Sequence, residues 1–189
     1  MSLKDVDYKS IWKKNPMLMP FVDKLVINIG VGKGGEELQK AAKVLEGLVD
    51  AKPVMLTANK NVKEWGVRKG QSIATKVTLR GQAAVDFLLR ALVPFDNRIL
   101  RKAFDNKGNF SFGIDEHIKL PDVKYDPELG IFGFNVTVRV SRPGYRIKIR
   151  KKDRRSIGQH HYLNKQETMY FAEKELKIEV VDVMEERYY

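Results

Sequence analysis

The sequence predicts an α+β fold: an open-faced antiparallel sheet with helices packed on one face, and long basic loops. Three observations lead to it. Residues 73–80 and 132–141 alternate apolar and polar with a period of two, as strands wet on one face do. Residues 36–49 and 82–93 carry apolar side chains three or four apart, as amphipathic helices do. Strands buried on both faces by crossover helices would read as unbroken apolar runs, and these do not. With 189 residues, 43% of them hydrophobic, the chain can bury one core of ordinary size, so a single domain over 1–189 is expected.

Residues 22–31 alternate and then break at Gly30 and Gly32, which reads as a strand entering a glycine loop. The helix over 36–49 follows, with Leu38, Ala41, Ala42, Leu45, Leu48 and Val49 on its buried stripe and Lys40, Lys43 and Glu46 outside. Pro53 opens a short strand over 54–57. Residues 60–72 hold two glycines, four basic residues and Trp65, with no apolar period, and predict an extended loop. The strand over 73–80 places Ile73, Thr75, Val77 and Leu79 toward the core and Lys76, Thr78 and Arg80 toward water. Gly81 ends it, and Pro94 stops the helix over 82–93. Residues 109–114 form a further strand, and in 132–141 Phe134, Val136, Val138 and Val140 oppose Asn135, Thr137, Arg139 and Ser141. After Pro143-Gly144 an exposed basic loop is expected, then a capping box from Asn164 to Glu167 that starts a helix over about 165–176. The tail over 179–189 is acidic and reads as loosely ordered.

Charge suggests the partner. The chain has 35 Lys and Arg against 24 Asp and Glu, a net charge of +11. From Arg139 to Arg155 the cations Arg139, Arg142, Arg146, Lys148, Arg150, Lys151, Lys152, Arg154 and Arg155 face one acid, Asp153. A second stretch, 60–80, holds Lys60, Lys63, Arg68, Lys69, Lys76 and Arg80 against Glu64. Like charge at this density repels itself, so it calls for a polyanion, most simply nucleic acid. There are no cysteines, which excludes a disulfide framework and thiolate zinc sites. No apolar stretch reaches the length of a bilayer span, so no membrane is expected.

Signals for catalysis are few. Gly30-Val-Gly32-Lys-Gly-Gly35 fits a dinucleotide fingerprint, whose backbone amides would cradle a pyrophosphate. The acid that should close the next strand is absent from 54–59, and Lys33 precedes a glycine where a phosphate-binding P-loop has Ser or Thr. His160-His161 lacks a metal frame, because adjacent side chains point apart. His117, beside Asp115 and Glu116, has no nucleophile near it in sequence. No catalytic residue, metal site or cofactor is expected. Phe110 and Phe112 share a strand face, where core packing outweighs base stacking. Trp65 has little local core to join and is a candidate stacking surface.

Assembled in order, Lys24-Leu-Val-Ile-Asn28-Ile-Gly-Val-Gly32, Lys52-Pro-Val, Gly66-Val-Arg68-Lys-Gly70, Lys76-Val-Thr78-Leu-Arg-Gly81, Arg101-Lys-Ala-Phe-Asp-Asn-Lys-Gly-Asn-Phe110 and Gly113-Ile-Asp-Glu116 resemble the ribosomal protein L5 family over about 15–175. The segment Arg142-Pro-Gly144, the basic run and residues 161–167 resemble its archaeal and eukaryotic branch. The resemblance implies a non-enzymatic constituent of the large ribosomal subunit, in the cytoplasm, that binds 5S rRNA in the central protuberance. It implies RNA contacts from Asn28 and Thr78, and a loop over about 60–72, with Lys63, Trp65, Arg68 and Lys69, reaching toward P-site tRNA. Lys76, Arg80 and the run from Arg139 to Lys152 are the further rRNA-binding candidates. Implied partners are large-subunit rRNA, neighbouring central-protuberance proteins and a small-subunit head protein across the inter-subunit bridge. Two departures remove contacts: Ala51 stands where many bacterial relatives have a glutamine, and Leu18 where many relatives of this branch have arginine.

Overall fold

The computed structural model describes residues 7–183. In chain order its elements are α1 (Tyr8–Lys14), β1 (Phe21–Gly30), α2 (Glu36–Leu48), β2 (Val54–Thr57), β3 (Ser72–Leu79), α3 (Gln82–Leu92), β4 (Arg98–Leu100), β5 (Asn109–Ile114), β6 (Phe134–Ser141), α4 (Arg146–Ile149), α5 (Lys165–Lys174) and β7 (Glu179–Val181). An open antiparallel sheet has the strand order β2-β3-β1-β6-β5, and β4 pairs with β7 in a two-stranded parallel ladder. The chain groups into two compact units, each discontinuous in sequence. Among the described residues one comprises 7–23, 95–111 and 138–183; the other comprises 24–94 and 112–137.

In the unit made of 24–94 and 112–137, alternation decides which side chains are buried. Leu25, Ile27 and Ile29 of β1 and Thr75, Val77 and Leu79 of β3 lie on one face, all nearly inaccessible. The antiparallel register sets Asn28 opposite Lys76 and Val26 opposite Thr78 on the other. α2 packs against β3, and its buried stripe is Leu38, Ala41, Val44, Leu45 and Leu48, so Val44 joins the predicted positions while Ala42 is only half-buried. α3 buries Ala84, Phe87, Leu88, Ala91 and Leu92. The Arg90 guanidinium donates to the carbonyl of Leu48 at the end of α2 and lies 5.1 Å from the Phe87 ring centroid, satisfying an orphan helix-end acceptor.

The other unit contains elements that local pattern did not predict. α1 is capped by Asp7, whose carboxylate accepts from the Ser10 amide at 3.3 Å. It buries Trp12 among aromatics, with ring centroids 5.8 Å from Tyr170 and 6.4 Å from Phe171. Residues 179–181 of the tail, expected to be loosely ordered, form β7: Glu179 lies opposite Arg98 and its carboxylate meets the Arg98 guanidinium at 3.0 Å. Residues 184–189 of that tail lie outside the described residues. Gly108 has φ +84, and a Cβ there would lie 2.6 Å from Thr168 Oγ1 and 2.9 Å from Leu163 Cβ, so only glycine lets this turn lie against α5.

Thr75 Oγ1 is buried and has no hydrogen-bond partner among the described residues. Valine has the same shape without the hydroxyl to desolvate, so Thr75→Val should raise the unfolding free energy by about 1 kcal/mol in a denaturant titration.

Candidate nucleic-acid interface

The candidate residues fall on three surfaces. The first is the polar face of β1 and β3, where Asn28 and Lys76 are half-buried and directly opposed, with Thr78 exposed one pair further on. Cross-strand neighbours on one face lie close enough to act on one ligand group. Arg80 follows β3 and is exposed.

The second is the loop over 60–72, which is ordered by its own hydrogen bonds. Val62 and Val67 exchange backbone hydrogen bonds at 2.9 and 3.0 Å around a 3-10 turn, Lys63–Trp65, closed by Gly66 at φ +65. The Asn61 carboxamide oxygen accepts from the Lys69 amide at 2.6 Å, and that of Gln71 accepts from the Arg68 amide at 3.1 Å. This closed hairpin leaves Trp65 76% exposed, with exposed Lys63, Arg68 and Lys69 on the same loop. Trp65 forms one side of an open, mainly apolar groove of about 650 Å³ whose other lining residues include Gly30, Gly32, Val62 and Ile73.

The glycine segment at that groove does not hold a dinucleotide. The amides of Val31 and Gly32 both donate to the Ile73 carbonyl, at 3.1 and 2.9 Å, and are not available to a pyrophosphate. The next helix begins Glu36-Glu37, which adds negative charge at the end where a phosphate would sit. The neighbouring strands are antiparallel, not the parallel pair such a site requires.

The third surface is the basic run, and here one expectation is corrected. Arg142, expected among the rRNA-binding cations, is buried at 6% exposure. Its guanidinium pairs with the buried Glu167 carboxylate and donates to the His161 carbonyl at 3.2 Å. The same Glu167 oxygen accepts from Trp12 Nε1 at 3.1 Å. Glu167 therefore does not complete a capping box: Asn164 is the N-cap residue, yet its side chain makes no capping bond. Burial with Glu167 turns this arginine inward: both terminal nitrogens are hydrogen-bonded, while Nε has no partner among the described residues. Tyr145 closes the cluster, donating to the His161 carbonyl at 3.1 Å and accepting from the Leu163 amide at 2.9 Å, and burial raises its hydroxyl pKa. His161 Nε2 lies 2.9 Å from the Pro143 carbonyl, so it carries the proton and the ring serves packing, not metal binding.

Beyond Tyr145 the run is exposed. α4 carries Arg146 and Lys148, and Arg150, Lys151 and Lys152 follow it. Among the bonds that hold the segment, Arg150 Nε donates to the Asp153 carbonyl at 2.8 Å, the Arg150 amide to the Arg146 carbonyl at 2.9 Å, and the Arg155 amide to the Ile147 carbonyl at 3.3 Å. Arg139 is half-buried, with its Nε 3.4 Å from Asp23 Oδ2. Among the described residues no cluster of His, Asp and Glu could hold a metal ion, and no helix is long and apolar enough to cross a membrane.

Residues 15–68 match the family model described as Ribosomal protein L5, and 72–171 match the model described as the C-terminus of that ribosomal family. The chain belongs to the ribosomal protein L5 family. It is 45% identical over 168 residues to the large ribosomal subunit protein uL5 of Pyrobaculum aerophilum, covering 89% of this chain and 94% of that protein. It is 44% identical to the Sulfolobus acidocaldarius uL5 over 90% of this chain and 96% of that protein, and 45% identical to the Methanosphaera stadtmanae uL5 over 88% and 99%. It is thus a structural, non-enzymatic protein of the large ribosomal subunit.

Truncating Glu167 to alanine would leave the Arg142 charge buried without a counterion, a loss of about 3–5 kcal/mol in unfolding free energy that chemical denaturation of the full chain will register. His117 offers a pH test. It is buried, its Nδ1 accepts from the Phe132 amide at 3.3 Å, and burial lowers its pKa below the usual value near 6.5. The unfolded chain binds that proton more readily, so stability present above about pH 6.5 should decline as pH falls below it, and His117→Gln should flatten this part of the profile.

Proposed function

We propose that this protein binds 5S rRNA in the central protuberance of cytoplasmic large subunits, with Asn28, Thr78 and Arg80 as register-fixing contacts and Lys76 as a phosphate contact. One observation carries the reading: β1 and β3 set Asn28 and Lys76 opposite each other, with Thr78 one pair further on, on the polar face of the sheet. Hydrogen-bonding side chains that fix register, flanked by cations that neutralise phosphates, suit a specific RNA contact. The family resemblance assigns the same two positions to 5S rRNA.

The loop over 60–72 reaches toward P-site tRNA. Supporting this are its closed hairpin, its exposed Lys63, Arg68 and Lys69, and the exposed Trp65 ring, which can stack on a base or ribose. Arg146, Lys148, Arg150, Lys151 and Lys152 meet rRNA phosphates; Arg142 is withdrawn from that set. The remaining partners are neighbouring proteins of the central protuberance and a small-subunit head protein across the bridge.

Binding to 5S rRNA and to an unrelated structured RNA of similar length, each across a salt series, tests this reading. Both complexes should weaken with salt through counterion release, with 5S rRNA keeping its advantage at physiological salt; coincident curves would leave a generic RNA-binding module. Asn28→Ala with Thr78→Ala should cost about 2 kcal/mol of 5S affinity, since each neutral hydrogen bond nets about 1 kcal/mol, and an unchanged double mutant would refute the assignment. Deleting 63–71 should spare 5S affinity while impairing tRNA positioning.

A further inference from the structure

Within the unit that contains the basic run lies a second concavity, of about 470 Å³, whose lining is divided in character. Lys107, Arg139, Lys148 and Arg154 contribute cations, no carboxylate of the described residues lines it, and Val140, Ile149 and the rings of Tyr145 and Tyr162 contribute apolar wall. Arg139 is already paired with Asp23. Among the described residues no carboxylate forms an ion pair with Lys107, Lys148 or Arg154, so three positive charges remain for a ligand.

The pocket is held by the fold and not by loose side chains alone. Lys107 sits on a turn closed by Asp105, whose Oδ1 accepts from the Lys107 and Asn109 amides at 2.8 and 2.7 Å. The glycine next to it, Gly108, is pressed against Leu163 and Thr168. Lys148 Nζ lies 5.3 Å from the Tyr162 ring centroid, and the Tyr145 hydroxyl is fixed by its two backbone bonds. The Arg155 amide to Ile147 carbonyl bond brings the chain back toward α4, beside which Arg154 stands.

We propose that this pocket receives a single unpaired nucleotide of ribosomal RNA, its phosphate among Lys107, Lys148 and Arg154 and its base against Tyr162 and Ile149. The inference rests on the reading of the chain as an rRNA-binding protein and names what that RNA must present here. A duplex backbone offers phosphates on a convex surface with its bases stacked inside, so it would meet the cations and leave the apolar wall empty. A nucleotide out of the stack brings an anion and a flat apolar body together, which matches a pocket divided in this way and lying within the usual size range of ligand sites.

The test is affinity for 5S rRNA and for 23S-type rRNA by the full chain and two variants that leave net charge unchanged. Ile149→Trp fills the pocket from a position that is 59% exposed, while Ile147→Trp puts the same bulk on the same helix at a residue that does not line it. Ile149→Trp should lower affinity for one of the two RNAs at least tenfold with no change in salt slope, and Ile147→Trp should bind as wild type. Chemical probing should show an unpaired nucleotide protected by the wild type and reactive again with Ile149→Trp. Wild-type affinity of Ile149→Trp for both RNAs, equal losses in the two variants, or protection confined to paired nucleotides would each overturn the proposal. A wild type that does not distinguish either rRNA from an unrelated RNA would overturn the parent reading as well, an outcome separate from these.

Discussion

A buried carboxylate takes two donors at a single oxygen. Glu167 Oε1 accepts from the Arg142 guanidinium and from the Trp12 indole, joining residues 155 positions apart in sequence. Two charges removed from water are costly, and this pair holds because each partner is neutralised and supplied with further hydrogen bonds. Arg142 also donates to the His161 carbonyl, which Tyr145 shares, so the residues just before α4 are tied to the start of α5. The exposed cations from Arg146 onward are displayed from that base. Self-repulsion among them would otherwise favour an extended chain. Anchoring the segment at its buried end opposes that repulsion.

The sheet works by a different means. On β1 and β3 the period of two separates a core face from a polar face, so the same strands that close the core under α2 present Asn28, Lys76 and Thr78. A one-residue slip would exchange the faces, burying Lys76 and exposing Val77. The candidate contacts are therefore as firmly placed as the hydrophobic core beneath them. Residues 60–72 need no core of that size; Val62, Val67 and the turn between them hold Trp65 outward with backbone bonds.

Sequence pattern by itself determined the regular part of the protein. Period-two alternation located β1, β3 and β6, and the three-and-four spacing located α2 and α3, because in each case burial on one face imposes a repeat that neighbouring residues display. The same logic identified the polar face carrying Asn28 and Thr78, and glycines among basic residues marked the loop that exposes Trp65.

Only the tertiary structure decided the irregular part. α1 has seven residues and one buried side chain, so it carries no period to read, and Trp12 belongs inside only because Tyr170 and Phe171 lie beside it. Arg142 is one cation among nine in its stretch, and nothing local distinguishes it from the exposed ones; its counterion is 25 positions away. Glu167 sits at capping-box spacing from Asn164, and the long-range pair takes the carboxylate that a local cap would have used. Residues 179–181 look like an acidic tail until β4 supplies a parallel partner and Arg98 a countercharge. The pocket lined by Lys107, Lys148 and Arg154 likewise draws on segments some forty positions apart. Local repeats report what each element buries on its own account, whereas charge burial and pocket lining depend on which distant elements meet.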